Sequence, residues 1–336
     1  MSEKVFFKKI ALQLGISEKQ VEATVGLVDE GATIPFISRY RKEMTGSLDE
    51  VQVANVRDEI ERLRAMEKRR EVIMESIEGQ GKLTPKLIEQ LRAAETMAQL
   101  EDIYLPYKPK RRTRATIARE KGLEPLAELI FKQGKINLEA EASQFISEEK
   151  SVKSSDEALE GARDIIAEWI NENAEARESI RNLFKQSATI KSKVLKGKEE
   201  AGEKFKDYFE WEERLMSCPS HRLLAIRRGE SEEVLSIEIA PAETDALEIL
   251  QKQFLTANNE CSEQVKLAVE DSYNRMMQSS IESEMRMLTK ELADEKAIQV
   301  FAENLRELML ASPLGQKAIL AIDPGFRTGC KVIALD

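Results

Sequence analysis

The sequence predicts a mainly α, multi-helical protein with helix-turn-helix-like units, long central helices and two small stretches of strand. Three observations predict it. Charged residues make up 33% of the 336 residues and aromatics only 5%, a balance rich in Ala, Glu, Lys, Arg and Leu that suits helices with solvated faces. Apolar residues recur at helical spacing through most of the chain, and neither Gly nor Pro interrupts them from Ala242 to Ser312. Period-two alternation shows only around Leu223 to Ile239 and after Lys317.

A first helix around Phe6 to Leu14 meets Gly15, and Ser17 with Gln20 forms a capping box for the next. Ala11, Gly15 and Val21 fall at the small, turn and apolar positions of a helix-turn-helix pair, which suits a plain packing unit as well as a DNA reader. In GATIPFISRYRK, residues 31–42, the core candidates are Ile34, Phe36 and Ile37. Beside them Arg39, Arg41 and Lys42, with Tyr40 among them, fit either a solvated helix face or a phosphate contact. Ser47 and Glu50 are expected to cap a long helix bearing Val56, Ile60 and Leu63 on one face. On its other face Arg57, Arg62, Arg64, Lys68, Arg69 and Arg70 interleave with Glu59, Glu61, Glu67 and Glu71 as i,i+4 partners. Gly79 and Gly81 end it, and Thr84-Pro85 opens another.

The stretch YLPYKPKRRTRATIAREK, residues 104–121, differs chemically from the rest. Lys108, Lys110, Arg111, Arg112 and Arg114 have almost no acid nearby in sequence, and Pro106 and Pro109 are expected to hold the run extended. Tyr104 and Tyr107 offer flat faces to bases or to the arginines. The competing reading is a linker whose arginines pair with acids elsewhere on an acidic chain.

A second helix-turn-helix-like pattern follows at Ala118, Gly122 and Pro125, opening a helix through Leu126, Leu129 and Ile130. Ser154 with Glu157 caps a helix carrying Leu159, Ala162, Ile165, Ile166 and Trp169. Phe184 to Lys198 is mildly basic and reads either as a solvated helix end or as a phosphate contact. Leu223 to Arg228 and Val234 to Ile239 flank Gly229-Glu230-Ser231 as a hairpin. One apolar stripe, Ile281, Met285, Leu288 and Leu292, gives way to another, Ile298, Phe301, Leu305 and Leu308, in shifted phase; a break or bend is expected near Asp294. Met276, Met277, Met285 and Met287 read as core filler. Pro313 and Gly315 then hand over to KAILAIDPGFRTGCKVIALD, whose apolar runs Ala318 to Ile322 and Cys330 to Leu335 flank a turn. Asp323 closes the first of them, and Asp-Pro-Gly is by itself a turn signal. A lone hairpin is marginal, so the expectation is the front edge of a sheet domain cut short.

A net charge of −10 excludes a general polyanion binder, so nucleic-acid contact must come from local basic patches. Cys218, Cys261 and Cys330 have neither disulfide nor metal spacing, and His221 is the only histidine, which excludes His-rich zinc sites. No cofactor or metal is assigned. Lys4, Lys8 and Lys9 interrupt the opening apolar residues, and no run is long enough to span a bilayer, so a soluble, cytoplasmic protein without membrane partners is expected.

Four segments, EGATIPFISRYRKEMTGSLDE, LEDIYLPYKPKRRTRATIAREKGLEPLA, DYFEWEERLMSCPSHRLLAIRRGE and AIDPGFRTGCKVIALD, resemble the bacterial Tex proteins along essentially the whole chain. These are transcription accessory proteins related to a eukaryotic elongation factor. The resemblance implies a helical region with helix-turn-helix-like units over residues 1–200 and a central region over 201–316. Residues 317–336 would then start a YqgF-type domain of the RNase H-like fold, with the family's later helix-hairpin-helix and OB-fold modules beyond this chain. It also implies that Asp323 matches the first metal-binding carboxylate of RNase H-like nucleases, whose two-metal chemistry needs further carboxylates that Tex proteins are regarded as lacking. Three readings follow. The first is a non-enzymatic, RNA-binding transcription accessory protein, touching RNA or single strands through Tyr107, Lys108, Lys110, Arg111, Arg112 and Arg114, with Arg39 and Arg41, and working with the transcription machinery. The others are a metal-dependent nuclease and a helical scaffold for protein partners.

Overall fold

Short polar side chains decide where the helices begin. The computed structural model describes residues 3–109, 111–313, 315–325 and 329–336, with 67% of the chain helical. Ser17 and Gln20 form the expected capping box of the Glu18–Asp29 helix, and Thr84 with Pro85 opens Pro85–Ala93. A further box, Thr96 with Gln99, starts Met97–Tyr104, and Ser154 caps Ser155–Asn171. The long helix Glu50–Glu78 is capped by Asp49 and Gln52, not by Ser47 and Glu50. Gly46 and Ser47 both take left-handed backbone, at φ 63° and 64°, so the chain is still turning where the cap was expected. The box closes later, with Gln52 N–H donating to Asp49 Oδ1 at 2.8 Å.

The chain forms two compact units, the first built from Met1–Glu178 and Gln251–Ser272. Its organising element is the Glu50–Glu78 helix, whose Val56, Ile60 and Leu63 pack against Phe6, Ile10, Val21 and Val25. About three turns further on, Ile73 and Ile77 meet Leu87, Leu91, Leu100 and Tyr104. Each such side chain contributes roughly 1.5–3 kcal/mol of transfer free energy. Phe36 is not part of this core: it is 39% exposed, with the Arg41 guanidinium 4.7 Å from its ring centre, while Ile37 is fully buried and Ile34 partly so.

The charged face of the long helix does not pair at the expected spacing of four. Arg62 meets Glu59 and Arg70 meets Glu67, three residues back, while Arg57 meets the adjacent Asp58. Arg64 instead reaches Asp29 at 2.6 Å and also Glu3, and Arg69 reaches Glu101 at 2.6 Å. Neighbouring helices lie close enough for these long side chains to tie them to one another. Deeper in the unit, Arg177 Nε donates to Asp102 Oδ1 at 2.6 Å, with both side chains 5% exposed. The Ser155–Asn171 helix buries Ala158, Ala162, Ile165 and Ile166, packing against the Arg114–Glu120, Glu124–Phe131 and Glu260–Ser272 helices. Leu129, expected in that core, is 37% exposed, whereas Leu126 and Ile130 are fully buried.

The second unit comprises Ser179–Leu250 and Tyr273–Asp336. Its sheet holds three antiparallel strands, β1 (Thr189–Val194), β2 (Glu210–Arg214) and β3 (Leu235–Ala240), in the order β2-β1-β3. Two expectations are corrected here. The basic stretch read as a helix end supplies β1, with Ile190 and Ser192 buried and Lys191 and Lys193 outward. The expected hairpin does not form: Ser220–Ser231 is a helix, and β3 pairs with β1, Ile239 opposite Ile190. Gly229 is a contact glycine, not a turn glycine. A Cβ there would lie 2.6 Å from Leu235 Cδ1, so its absence lets the helix lie on β3.

The stretch without Gly or Pro divides into helices Glu243–Phe254 and Glu260–Ser272, a π-helical turn Tyr273–Met277 and the helix Gln278–Met309. No break occurs at Asp294, which lies inside the last of these. The two apolar stripes differ because Ile281 and Met285 are buried while Ile298, Phe301, Leu305 and Leu308 are exposed. Met277 and Met285 fill core, but Met287 is 66% exposed. The expected terminal hairpin forms from β4 (Ile319–Pro324) and β5 (Cys330–Leu335), with Ala321 opposite Ile333. Among the described residues no helix is long and apolar enough to cross a membrane.

Two stability outcomes follow. Asp102→Ala takes the buried Arg177 guanidinium's carboxylate partner away and should cost about 3–5 kcal/mol in urea unfolding, and Asp102→Leu with Arg177→Met should recover most of it. Gly229→Ala should cost about 1–3 kcal/mol by overpacking against Leu235, whereas a turn glycine at negative φ would tolerate the methyl.

Candidate nucleic-acid interface

The basic run is a strap pinned at both ends. At its start the Met97–Tyr104 helix passes into a short 3-10 turn, Leu105–Tyr107, and Gln80 Nε2 donates to the Tyr107 carbonyl at 2.8 Å. At its far end Thr113 caps the Arg114–Glu120 helix and its hydroxyl donates to Glu168 Oε2 at 3.1 Å. Glu168 also takes Arg119 Nη1 at 2.6 Å, with the Glu168 side chain only 6% exposed. Burial works against the Arg119 charge, but Glu168 and Glu124 more than offset it and hold its pKa above the ordinary arginine range. Arg119 is therefore committed to holding the strap.

Between the anchors, Lys108, Arg111 and Arg112 are exposed, as is Arg114 at the first helical position. Lys108, Arg111 and Arg114 have no ion pair among the described residues; Lys110 lies outside them. The expectation that the run meets almost no acid fails at Arg112, whose Nη2 lies 2.6 Å from Glu120 Oε2. Those side chains are 68% and 52% exposed, so the pair is worth at most about 1 kcal/mol and exchanges readily for a phosphate. Lys108 and Thr113 take extended backbone, while Leu105–Tyr107 coils before the run and Arg114 is already helical.

The two tyrosines separate. Tyr104, expected to offer a stacking face, is 7% exposed, its hydroxyl 2.8 Å from Ser76 Oγ and its ring under the Arg69 guanidinium. It is a core residue because the helix register that buries Leu100 buries it too. Tyr107 is half-buried against the same cluster. Arg39 and Arg41 sit on a different element, where Arg39 meets Glu50 at 3.3 Å and Arg41 donates to the Tyr40 carbonyl while covering Phe36.

Sequence reasoning missed what lies beside the strap. Arg114 and Ile117 of the Arg114–Glu120 helix, with its C-cap Lys121, form a wall of a groove of about 610 Å³. Ser151 and Lys153 stand at another side, and Glu160 and Gly161 of the Ser155–Asn171 helix contribute as well. The spacing of Arg114 and Lys121 was a visible signal; the approach of Lys153 and Glu160, some forty residues on, was not.

The family described as Tex central region-like matches residues 134–301, half of the chain, and the Tex-like protein N-terminal domain matches residues 4–78. The chain belongs to the Tex family. A Bordetella pertussis protein named tex is 42% identical to this Tex chain over 342 residues, covering 98% of it and 43% of the relative. The transcriptional accessory protein Tex of Neisseria gonorrhoeae is 39% identical over 335 residues, covering 97% and 44%. A human S1 RNA-binding domain-containing protein 1 is 28% identical over 323 residues, covering 92% and 32%. The chain thus spans less than half the length of the curated relatives it matches.

Tyr104→Phe removes only the hydrogen bond to Ser76. It should lower unfolding stability by about 1 kcal/mol and leave oligonucleotide affinity, read by fluorescence anisotropy, unchanged.

Proposed function

We propose that this chain is a non-catalytic, RNA-binding part of a cytoplasmic transcription accessory protein, and that the strap Lys108 to Arg114 is its contact surface. One observation carries the reading: on a chain of net charge −10, Lys108, Arg111 and Arg114 project from an anchored segment without acidic partners among the described residues. The names of its relatives, a transcriptional accessory protein and an S1 RNA-binding domain-containing protein, support the same direction. A short irregular run of cations with Tyr107 beside it suits an unstacked strand better than a duplex. Binding is weak, sequence-tolerant in its phosphate contacts and steeply dependent on salt, because each contact releases counterions. Arg39 and Arg41 are secondary contacts, since local partners already occupy them. The β4–β5 ribbon is the start of the YqgF-type domain that the family resemblance implies. Its Asp323 stands opposite Lys331, and one carboxylate does not hold a two-metal site.

The scaffold reading retains one observation in its favour, the Arg112–Glu120 ion pair. One experiment separates the two. Arg111, Arg112 and Arg114 changed together to glutamine should weaken single-strand binding and flatten the slope of log affinity against log salt by about two units, near 0.7 per lost phosphate contact. Fluorescence anisotropy over a salt series, run beside a melting curve, measures it. A lowered melting temperature with unchanged affinity and slope would favour the scaffold and remove the strap from the interface.

A further inference from the structure

We propose that the groove beside the strap is a base pocket that receives one unstacked nucleotide of the bound strand and prefers guanine; this rests on the strap binding single strands. Arg114 belongs to both surfaces, so a strand following the strap arrives at the groove mouth with a phosphate in hand. The volume, about 610 Å³, is ample for a mononucleotide. The lining divides by chemistry as a nucleotide does. Lys121 and Lys153 offer charge to flanking phosphates, the exposed Ile117 offers apolar contact to a ring face, and the Ser155–Asn171 helix contributes carboxylates.

Those carboxylates are not equivalent. Glu157 Oε2 accepts from the Lys153 backbone N–H at 2.8 Å and so belongs to the helix cap. Asp164 is engaged within the protein. Glu160 is exposed and has no hydrogen bond or ion pair among the described residues. A free carboxylate presents two acceptors side by side. Guanine alone among the four RNA bases presents two adjacent donors, N1–H and N2–H, on its Watson–Crick edge. Adenine and cytosine each set a ring-nitrogen acceptor beside the amino group, and uracil flanks its single N–H with two carbonyls. Glu160 therefore selects guanine while the cations hold phosphate without regard to sequence.

The test uses the full chain with fluorescein-labelled RNA 12-mers: all uridine, and the same with a single central guanosine, adenosine or cytidine. One guanosine should tighten binding about tenfold, while adenosine and cytidine change it little, as a bidentate edge contact allows. Glu160→Gln should bring the guanosine-to-uridine affinity ratio to about one and leave the melting temperature unchanged; Glu160→Ala should do the same. Equal affinity for all four oligonucleotides, or a guanosine preference that survives both variants, overturns the pocket while leaving the strap reading intact. Binding of none of the oligonucleotides overturns both.

Discussion

Glu168 is the constraint on which the candidate interface depends. Its carboxylate is almost wholly buried and accepts from Arg119 and from the Thr113 hydroxyl, so one side chain fixes the helix that ends the strap against the helix that contributes to the groove. A carboxylate so placed is costly to leave without its cation, because desolvation opposes the charge and only paired, hydrogen-bonded geometry offsets it. The position of Arg114 is a consequence: as the first residue after the Thr113 cap, it is carried by whatever holds that cap.

The same division of labour recurs through the first unit. Arg64, Arg69, Arg70, Arg119 and Arg177 each reach a carboxylate or carbonyl on another segment, and these are the arginines that hold helices to one another. Lys108, Arg111 and Arg114 do not, although acids outnumber bases 61 to 51 along the chain. In a protein with an excess of carboxylates, cations left outward and unpaired are free to meet a polyanion without first breaking strong contacts.

The helical character was legible because capping residues and apolar spacing are local. Ser17, Thr84 and Ser154 were readable from neighbours within four positions. What failed was set by distant partners. Gly229 looked like a turn until Leu235 explained its missing side chain, and β1 looked like a basic helix end because its two pairing strands lie elsewhere in sequence. The phase shift near Asp294 was real as a pattern, but it marks where burial ends and not where the helix does. At the site, the unbalanced run was visible as charge, yet the burial of Tyr104 and the exchangeable pair at Arg112 required knowing where Ser76 and Glu120 sit. Nothing local foretells the groove, since Lys121 and Lys153 come to line it only after the chain has turned through two further helices.

The proposed path of single-stranded RNA runs along the strap that Glu168 anchors. Zero-length photo-crosslinking tests it most directly, using a 4-thiouridine oligonucleotide on the full chain and mapping adducts by mass spectrometry. Adducts should concentrate within residues 104–121, Tyr107 among them, and be lost in high salt. Adducts concentrated on β1 and β2, or on residues 34–41, with none on the strap, would contradict it.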